Sequence, residues 1–346
     1  MSPFLSIIVP FHNSAEKCAP LLAVLSELRA EDGVELIFVD DGSTDSTLTV
    51  LREFAAGANC PVLIVRRENG GPGAARNWGL DRATGKWVWF VDSDDVIDLD
   101  AISLAKMSDW PDVDVIAWNF HHPWPGVSCP IPPGLHEIGE APAPPDAMET
   151  VPAKWFAMDF LKRTRLRFPE YCVYEATPIE AFVLPLLVTR YFKSDFQAYR
   201  AIAGPSVTRG QFDARRLDRF RTIVLGRRYA EDAGLAPRML APFDAAFARL
   251  FLWYSIAPSK LPGRSWIAAA RVMRQYRDEA AQLGVGMDPF DVYPGGGKSR
   301  LLARLLWALS GLLPSQREHF DALRQQAWGR EIEWTPPEVP KRWTGN

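Results

Sequence analysis

The sequence predicts an α/β protein with a Rossmann-like, doubly wound and mostly parallel sheet, followed by a helical C-terminal region. Over the first hundred residues, short apolar runs alternate with segments of helical periodicity. This is the pattern of a parallel sheet with right-handed crossovers. Beyond about residue 210 the pattern is helical throughout. Apolar residues make up 47% of the 346 residues, enough to build a sizeable core, which excludes a disordered chain.

Four apolar runs are predicted as the first strands, and each is short enough to be buried on both faces. They cover residues 5–9, 36–39, 62–65 and 87–91. Three helices are predicted to follow the first three strands. The first covers 15–30, the second is capped by Ser43 or Thr44, and the third has Pro72 in its first turn and runs to about Thr84.

The next part of the chain is less regular. Residues 113–118 are predicted as a fifth strand, and residues 153–163 as a helix. Between them, 123–152 is dense in proline and is predicted to be a long irregular loop, a kind of segment that is usually functional or mobile.

Two domains are expected from the length and the change of pattern. An α/β domain is predicted over 1–212, in two halves at 1–108 and 109–212. A helical domain covers 213–346.

The net charge of −3 gives no reason to expect a nucleic-acid partner. It conceals a balance of −12 over 1–196 and +9 over 197–346. The basic part favours an anionic surface or substrate, or it is a solvated surface with scattered arginines. Four cysteines without a CxxC pair indicate neither a zinc site nor a disulfide scaffold. The N-terminus has no basic start and only a short apolar run, so a cytoplasmic protein is predicted.

Polar clusters follow each of the four predicted strands. Ligands of such sheets bind beyond the carboxyl ends of the strands, so the site is predicted there. The clusters cover residues 10–13, 40–43, 68–71 and 92–95, and acidic residues dominate two of them.

Asp92, Ser93 and Asp94 directly follow the apolar run WVWFV. Mg²⁺ and Mn²⁺ prefer carboxylate oxygens together with substrate phosphates. Two aspartates one residue apart can hold a cation that stabilises a leaving diphosphate. An isolated DxD triplet is more often a solvated turn or a helix cap, but its position after a buried strand favours the metal site.

Two further clusters can contact a nucleotide. Asp41 can accept hydrogen bonds from a base or a ribose, whereas Asp45 more simply supports the following helix N-terminus. A glycine-rich turn begins at Asn69 and opens a helix whose N-terminus favours anions. Arg76, one turn into that helix, can reach the nucleotide or its phosphates.

Four segments occur in order and at a specific spacing: SIIVPFHN, VDDGSTDST, ENGGPGAARNWGL and ATGKWVWFVDSDD. This combination resembles the family 2 glycosyltransferases, which have the GT-A fold. The resemblance covers about residues 4–108 and continues more weakly to about 210. It implies a nucleoside diphosphate sugar donor, usually a UDP-sugar, with Mn²⁺ or Mg²⁺. It also implies inversion at the anomeric centre, with a carboxylate base acting on a hydroxyl of a glycan or lipid-linked acceptor.

The resemblance also implies that 1–212 form the catalytic domain, with a nucleotide-sugar-binding half at 1–108 and an acceptor-binding half at 109–212. It further implies roles for individual residues. Asp94 is expected to coordinate the metal, and Asp92 to contact the ribose or donor sugar or to share the metal. Asn69 and Asn77 are expected mainly to shape the loop. Arg200 and Arg209 lie in a segment similar to a stretch that is usually near the donor diphosphate in the family, so either is expected to neutralise phosphate charge. The nucleotide-sugar site is thus predicted to include Pro10, Phe11, Asn13, Asp41, Asn69, Arg76, Asp92, Ser93, Arg200 and Arg209.

The chain departs from the family at the expected catalytic base. After Phe168-Pro169-Glu170 the family usually has Glu-Asp, with the Asp as base, but this chain has Glu175-Ala176. Glu175 is the candidate base, and Glu180 is the alternative. Ala176 also keeps open a catalytically impaired nucleotide-sugar-binding protein. A sugar nucleotidyltransferase is disfavoured because only Lys17 follows the first strand as a basic residue.

Two C-terminal segments are candidates for a membrane surface. Residues 215–228 are rich in arginine, and 299–313 form an apolar segment with Trp307, too short to span a bilayer. A basic amphipathic helix can lie in an anionic interface. The alternative is a helix packed on the catalytic domain or within a homo-oligomer.

Overall fold

A computed structural model gives the structure of the protein. It describes residues 2–107, 112–121, 131–137, 150–176, 184–202, 266–282 and 298–315, together with a few isolated residues. The described residues fall into two compact units. One unit holds those within Met1–Tyr171 and Leu184–Gly204, and the other holds those within Cys172–Val183 and Pro205–Thr335.

The first unit is built on a mixed sheet. In the described part of the chain its strands are β1 (Leu5–Phe11), β2 (Val34–Asp41), β3 (Val62–Arg67), β4 (Trp87–Phe90), β5 (Val96–Ile97), β6 (Val115–His121), β7 (Gly134–Glu137), β8 (Lys154–Ala157) and β9 (Arg190–Arg200). The spatial order is β3-β2-β1-β4-β8-β6-β9-β5, and β7 also pairs with β9. Strands β1 to β4 are parallel to one another, and β8 runs antiparallel between β4 and β6. The predicted α/β class with a mostly parallel sheet is confirmed.

Helices connect the strands of the first unit and make up most of the described part of the second. They are α1 (Ala19–Leu25), α2 (Thr47–Gly57), α3 (Gly71–Leu80), α4 (Asp100–Met107), α5 (Met158–Thr164), α6 (Leu184–Leu187), α7 (Trp266–Gln282) and α8 (Lys298–Leu312). Short 3-10 turns lie at Ala30–Asp32 and Val151–Ala153. Among the described residues no helix is long and apolar enough to cross a membrane.

The core explains why the first strands form where the sequence predicts them. Strands β1, β2 and β4 are buried on both faces, so continuous apolar runs suit them. Three tryptophans on neighbouring strands pack together: the ring centroid of Trp155 lies 5.4 Å from that of Trp89 and 5.2 Å from that of Trp118. Because β1, β2 and β4 run parallel, their carboxyl ends lie at the same edge of the sheet.

The first two helices differ from prediction at their starts. Helix α1 covers only part of 15–30, because Pro20 takes its first turn and Cys18 N–H already bonds to Ser14 O in a preceding turn. Helix α2 begins at Thr47 rather than after Ser43 or Thr44. The predicted role of Asp45 is confirmed, since its carboxylate accepts hydrogen bonds from Thr47 N–H and Oγ1–H.

Helix α3 ends at Leu80 instead of Thr84, because Thr84 N–H and Oγ1–H donate to Glu35 on β2. The helix lies very close to β1: a Cβ at Gly79 would overlap Cγ2 of Ile8. This close approach positions the whole helix, and with it Arg76, at the strand edge.

Two predictions for the middle of the chain are wrong. Residues 154–157 form β8 before α5 begins, because the largely buried segment KWFA pairs with β4 on one side and β6 on the other. The segment 123–152 is not irregular throughout, since β7 lies within it and pairs with β9. The fifth predicted strand corresponds to β6.

The helical C-terminal pattern is confirmed over the described residues. Helices α7 and α8 pack through the guanidinium of Arg277, which lies 4.1 Å from the ring centroid of Trp307. Nη1 of Arg277 also donates to Trp307 O at 2.8 Å. Trp307 is therefore held against α7.

Candidate active site

The polar residues after β1, β2 and β4 come together at one edge of the sheet, as the sequence predicts. The strands place Asn13, Asp41 and Asp92 there, and α3 adds Arg76. Side-chain hydrogen bonds connect the strand ends, including one of 3.0 Å between Ser14 Oγ and Ser93 Oγ. The edge is a connected polar surface on a rigid core, which suits a ligand site.

Arg76 and Asp92 form the central ion pair of this edge. Nη2 of Arg76 lies 2.6 Å from Oδ1 of Asp92, and the Arg76 side chain is almost completely buried. The Phe168 ring lies beside the guanidinium, 5.3 Å from centroid to Cζ. Such a charge-assisted bond fixes both groups. Asp92 remains 35% exposed, so it can still meet a ligand.

Asp94 and Asp95 differ in burial although they are adjacent. Asp94 is exposed, whereas Asp95 is buried and accepts hydrogen bonds from Tyr199 O–H and from Ile202 N–H, the latter at 2.8 Å. Burial, and then the nearby charge of Asp92, raise the pKa of Asp95 to about 7. Burial and the charge of Asp92 likewise raise the pKa of Tyr199. Of the three aspartates that follow β4, only Asp92 and Asp94 thus have carboxylates that are open to solvent.

Asp92 and Asp94 fit a divalent cation that also has ligands from a substrate. Both are hard oxygen donors, and both are accessible. Among the described residues, no group of three or more His, Cys, Asp or Glu side chains is placed to hold a metal alone. A cation here would therefore need further oxygens, such as those of a diphosphate.

The carboxylate of Asp41 is bound by groups of the protein itself. It accepts hydrogen bonds from Gly70 N–H at 3.0 Å and Gly71 N–H at 2.7 Å, and it pairs with Nη1 of Arg67 at 2.9 Å. Burial raises its pKa. Gly71 has a φ of +86°, so the turn needs glycine there. In this structure Asp41 therefore anchors the turn that opens α3, whereas the sequence predicts it as a nucleotide ligand.

At the end of β1 the exposed ring is that of His12, whereas the sequence predicts Phe11 for the site. The Phe11 side chain is fully buried, 5.2 Å from Phe38 between centroids, so its ring lies in the core. His12 is exposed instead, and its Nδ1 lies 2.8 Å from Asp41 O as a donor. Pro10 is half-buried. Sequence reasoning missed His12, because a strand buried on both faces does not reveal which side chain reaches the edge.

Asn69 and Asn77 make structural contacts, as expected, and so does Asn13, which the sequence predicts as part of the nucleotide-sugar site. Asn69 Oδ1 accepts from Gly71 N–H at 3.1 Å, and Asn13 Oδ1 accepts from Thr44 N–H at 2.8 Å. Asn77 is buried and donates to Phe168 O and to Glu170 Oε1, both at 2.9 Å. These bonds hold the segment 167–171 along α3.

The other residues predicted for the site are Glu175, Arg200, Arg209 and the alternative base Glu180. Glu175 is only 6% exposed and belongs to the second unit, where Ala176 follows it. Arg200 is exposed at the end of β9, where it lines a cavity of about 480 Å³ together with Glu27 and Asp98. Arg209 and Glu180 lie outside the described residues, as does nearly all of 215–228.

Comparison with known proteins gives a family match for part of the chain. Residues 6–129 match the model of "Glycosyl transferase family 2". The poly(ribitol-phosphate) beta-glucosyltransferase of Bacillus spizizenii is 38% identical over 100 residues, which is 28% of this chain and 16% of that enzyme. The chain therefore matches only a small part of the length of this relative.

Two solved structures share the fold over most of the chain. TarS 1–349 of S. aureus, in complex with UDP-GlcNAc, has a TM-score of 0.62 and 21% identity, covering 94% of this chain and 92% of that one. The mannosyltransferase PcManGT of Pyrobaculum calidifontis, in complex with GDP-Man and Mn²⁺, has a TM-score of 0.50 and 20% identity, covering 95% and 86%. These similarities establish the GT-A fold.

Proposed function

We propose that this chain transfers a sugar from a nucleoside diphosphate sugar to a hydroxyl of a glycan or lipid-linked acceptor, because residues 6–129 match the model of glycosyl transferase family 2. The donor is a UDP-sugar, and the reaction is a single displacement that inverts the anomeric centre. A divalent Mn²⁺ or Mg²⁺ ion assists departure of the diphosphate. The alternative is a nucleotide-sugar-binding protein without transfer activity.

The observation that carries this proposal is the Arg76–Asp92 ion pair beside the exposed carboxylate of Asp94. The pair stands at the carboxyl end of β4, where ligands of such sheets bind. A fixed guanidinium next to accessible carboxylates can receive a diphosphate and its cation together, because the two carry opposite charges. A solvated turn would not require a buried arginine behind it.

Each residue of the edge has a role in this proposal. Asp94, with Asp92, holds the cation, which supplies positive charge to the leaving diphosphate when bound. Arg76 orients Asp92 and faces the donor. Pro10, His12, Asn13, Asn69 and Ser93 form the nucleoside and sugar side of the site, around the turn that Asp41 anchors. Arg200 and Arg209 neutralise the diphosphate charge.

The choice of donor and metal rests on structures of the same fold. UDP-GlcNAc is bound to TarS, and GDP-Man with Mn²⁺ to PcManGT. A UDP-sugar is favoured because TarS is the more similar of the two by TM-score, 0.62 against 0.50.

Glu175 is the proposed general base. It occupies the first acidic position of the family's Glu-Asp pair, and a positioned carboxylate can accept the proton of an acceptor hydroxyl. Ala176 stands where the family usually has its base, and this favours the alternative of binding without transfer.

A lipid-linked acceptor would place the protein at an anionic membrane surface, and we assign α8 to that contact. The helix has Lys298, Arg300 and Arg304 but no acidic residue. Leu305, Leu309 and Leu312 are 54%, 52% and 82% exposed, which is unusual for leucine. Trp307 does not contribute, because Arg277 covers its ring.

The test is calorimetric titration with UDP, GDP, CDP and dTDP, with and without Mn²⁺, followed by an assay for donor turnover. We expect Mn²⁺-dependent binding of UDP and release of UDP from a UDP-sugar when acceptor glycans are supplied. Binding without any turnover would favour the alternative function. No binding of any diphosphate would refute both.

A further inference from the structure

The turn that carries Asp94 is held on both sides. Before it, Ser93 Oγ lies 3.0 Å from Oγ of Ser14, which is itself buried at the end of β1. After it, the buried carboxylate of Asp95 accepts hydrogen bonds from Tyr199 O–H and Ile202 N–H. Asp94 is thus an exposed carboxylate on a turn whose two flanking residues are fixed.

The contacts after Asp94 join parts of the chain that are far apart in sequence. Tyr199 lies on β9, where pairing of Ile97 with Tyr199 brings the strand beside the turn, and it is 2% exposed. A buried phenol needs a hydrogen-bond partner, and a buried carboxylate needs donors, so each group satisfies the other. We call Asp95, Tyr199 and Ile202 the Asp95 latch.

We propose that the Asp95 latch positions Asp94 for the divalent cation, with Tyr199 as a positioning residue that touches neither metal nor donor. An exposed side chain on a loose turn loses conformational freedom when it binds, and this opposes binding. The latch removes part of that cost before the ligand arrives. The inference rests on the proposed function, because it requires the cation and the nucleoside diphosphate at this site.

The test substitution is Tyr199→Phe, which keeps the ring in the core and the charge of the site, and removes only the hydroxyl. Tyr191→Phe is the matched control: Tyr191 is also buried on β9, and its ring stacks on His136 at 4.9 Å. Free Mn²⁺ is measured by electron paramagnetic resonance at saturating UDP, and the thermal midpoint of each variant is recorded.

Loss of a group that orients metal ligands typically weakens metal binding about 10–100-fold. We expect the Mn²⁺ dissociation constant of Tyr199→Phe to rise by about tenfold, at the lower end of that range, because Tyr199 acts through the neighbouring residue. The Tyr191→Phe variant should bind Mn²⁺ like the parent protein. A lower thermal midpoint with unchanged Mn²⁺ affinity would mean that the latch is only structural, and would overturn the proposal.

Ser14→Ala provides a second test if Tyr199→Phe does not fold, because it releases Ser93 on the other side of Asp94. It should weaken Mn²⁺ binding in the same direction, and unchanged affinity would count against the latch mechanism. If the parent protein shows no Mn²⁺ binding with UDP, the proposed metal-assisted function fails, and the latch fails with it. Equal affinity in parent and variants refutes the latch alone.

Discussion

The substitution Asp41→Asn distinguishes two roles of Asp41. Its position after β2 suggests a nucleotide ligand, whereas its contacts suggest that it anchors the turn before α3. The Asp41 carboxylate accepts from Gly70 and Gly71 and pairs with Arg67 in a nearly buried setting. Asparagine of the same shape loses the charge and turns one amide N–H₂ toward donors. Hydrogen bonds to a charged group contribute about 1.5–3 kcal/mol, and breaking a buried pair costs about 3–5 kcal/mol.

Burial also opposes the charged form of Asp41, as its raised pKa indicates, so part of that stabilisation is offset. We therefore expect Asp41→Asn to lower the free energy of unfolding by about 2–3 kcal/mol and the thermal midpoint by roughly 5–10 °C. Differential scanning fluorimetry and urea titration measure both. Glu53→Gln, the same chemical change at an exposed site on α2, is the control.

A double-mutant cycle with Arg67→Met tests whether the two residues act together, and we expect a coupling of about 1–3 kcal/mol. One result would refute the anchor role: an Asp41→Asn protein as stable as the parent that no longer binds UDP. Asp41 would then be a nucleotide ligand, as the sequence alone suggests.

Four further results are expected. Asp94→Ala should abolish Mn²⁺-dependent UDP binding, and unchanged affinity in calorimetry would remove Asp94 from the metal site. Glu175→Gln should leave UDP affinity nearly intact and remove transfer; full activity would show that the base is another group. Gly79→Ala should destabilise the protein by about 1–3 kcal/mol because the new methyl meets Ile8, and Ile8→Ala should relieve part of this loss in urea titrations. Without metal, Asp95 binds its proton more tightly in the folded state, with a pKa of about 7 against 3.8, so it lowers stability as the pH rises between these values. Asp95→Asn should flatten that part of the stability–pH curve, and an unchanged curve would show that Asp95 does not cause it.

Much of the first unit follows from the sequence because its central strands are buried on both faces. A continuous apolar run such as that of β4 suits a strand covered on both faces, and the polar residues after it then lie at the sheet edge. The prediction that Asp92 and Arg76 belong to one site needs only this rule and the helix that carries Arg76 before β4.

The same burial explains what the sequence could not predict. When both faces are covered, periodicity does not distinguish Phe11, which packs on Phe38, from His12, which reaches the edge. The strand β8 was also missed, because its four residues form a strand by pairing with β4 and β6 and not through a local sequence pattern. Tyr199 could not be connected with Asp95 at all, since the two are 104 residues apart and no local pattern relates them.

The roles of the aspartates at this edge follow from their burial rather than from the motif to which they belong. Asp41 and Asp95 are buried, have raised pKa values and hold protein groups, so they set the shape of the turns. Asp92 and Asp94 follow β4, as Asp95 does, but they are open to solvent and can provide oxygen ligands. An isosteric substitution should therefore act differently at the two kinds of site. At Asp92 and Asp94 it should act directly on metal and donor affinity. At Asp41 it should act on stability, and at Asp95 on stability together with metal affinity, through the latch.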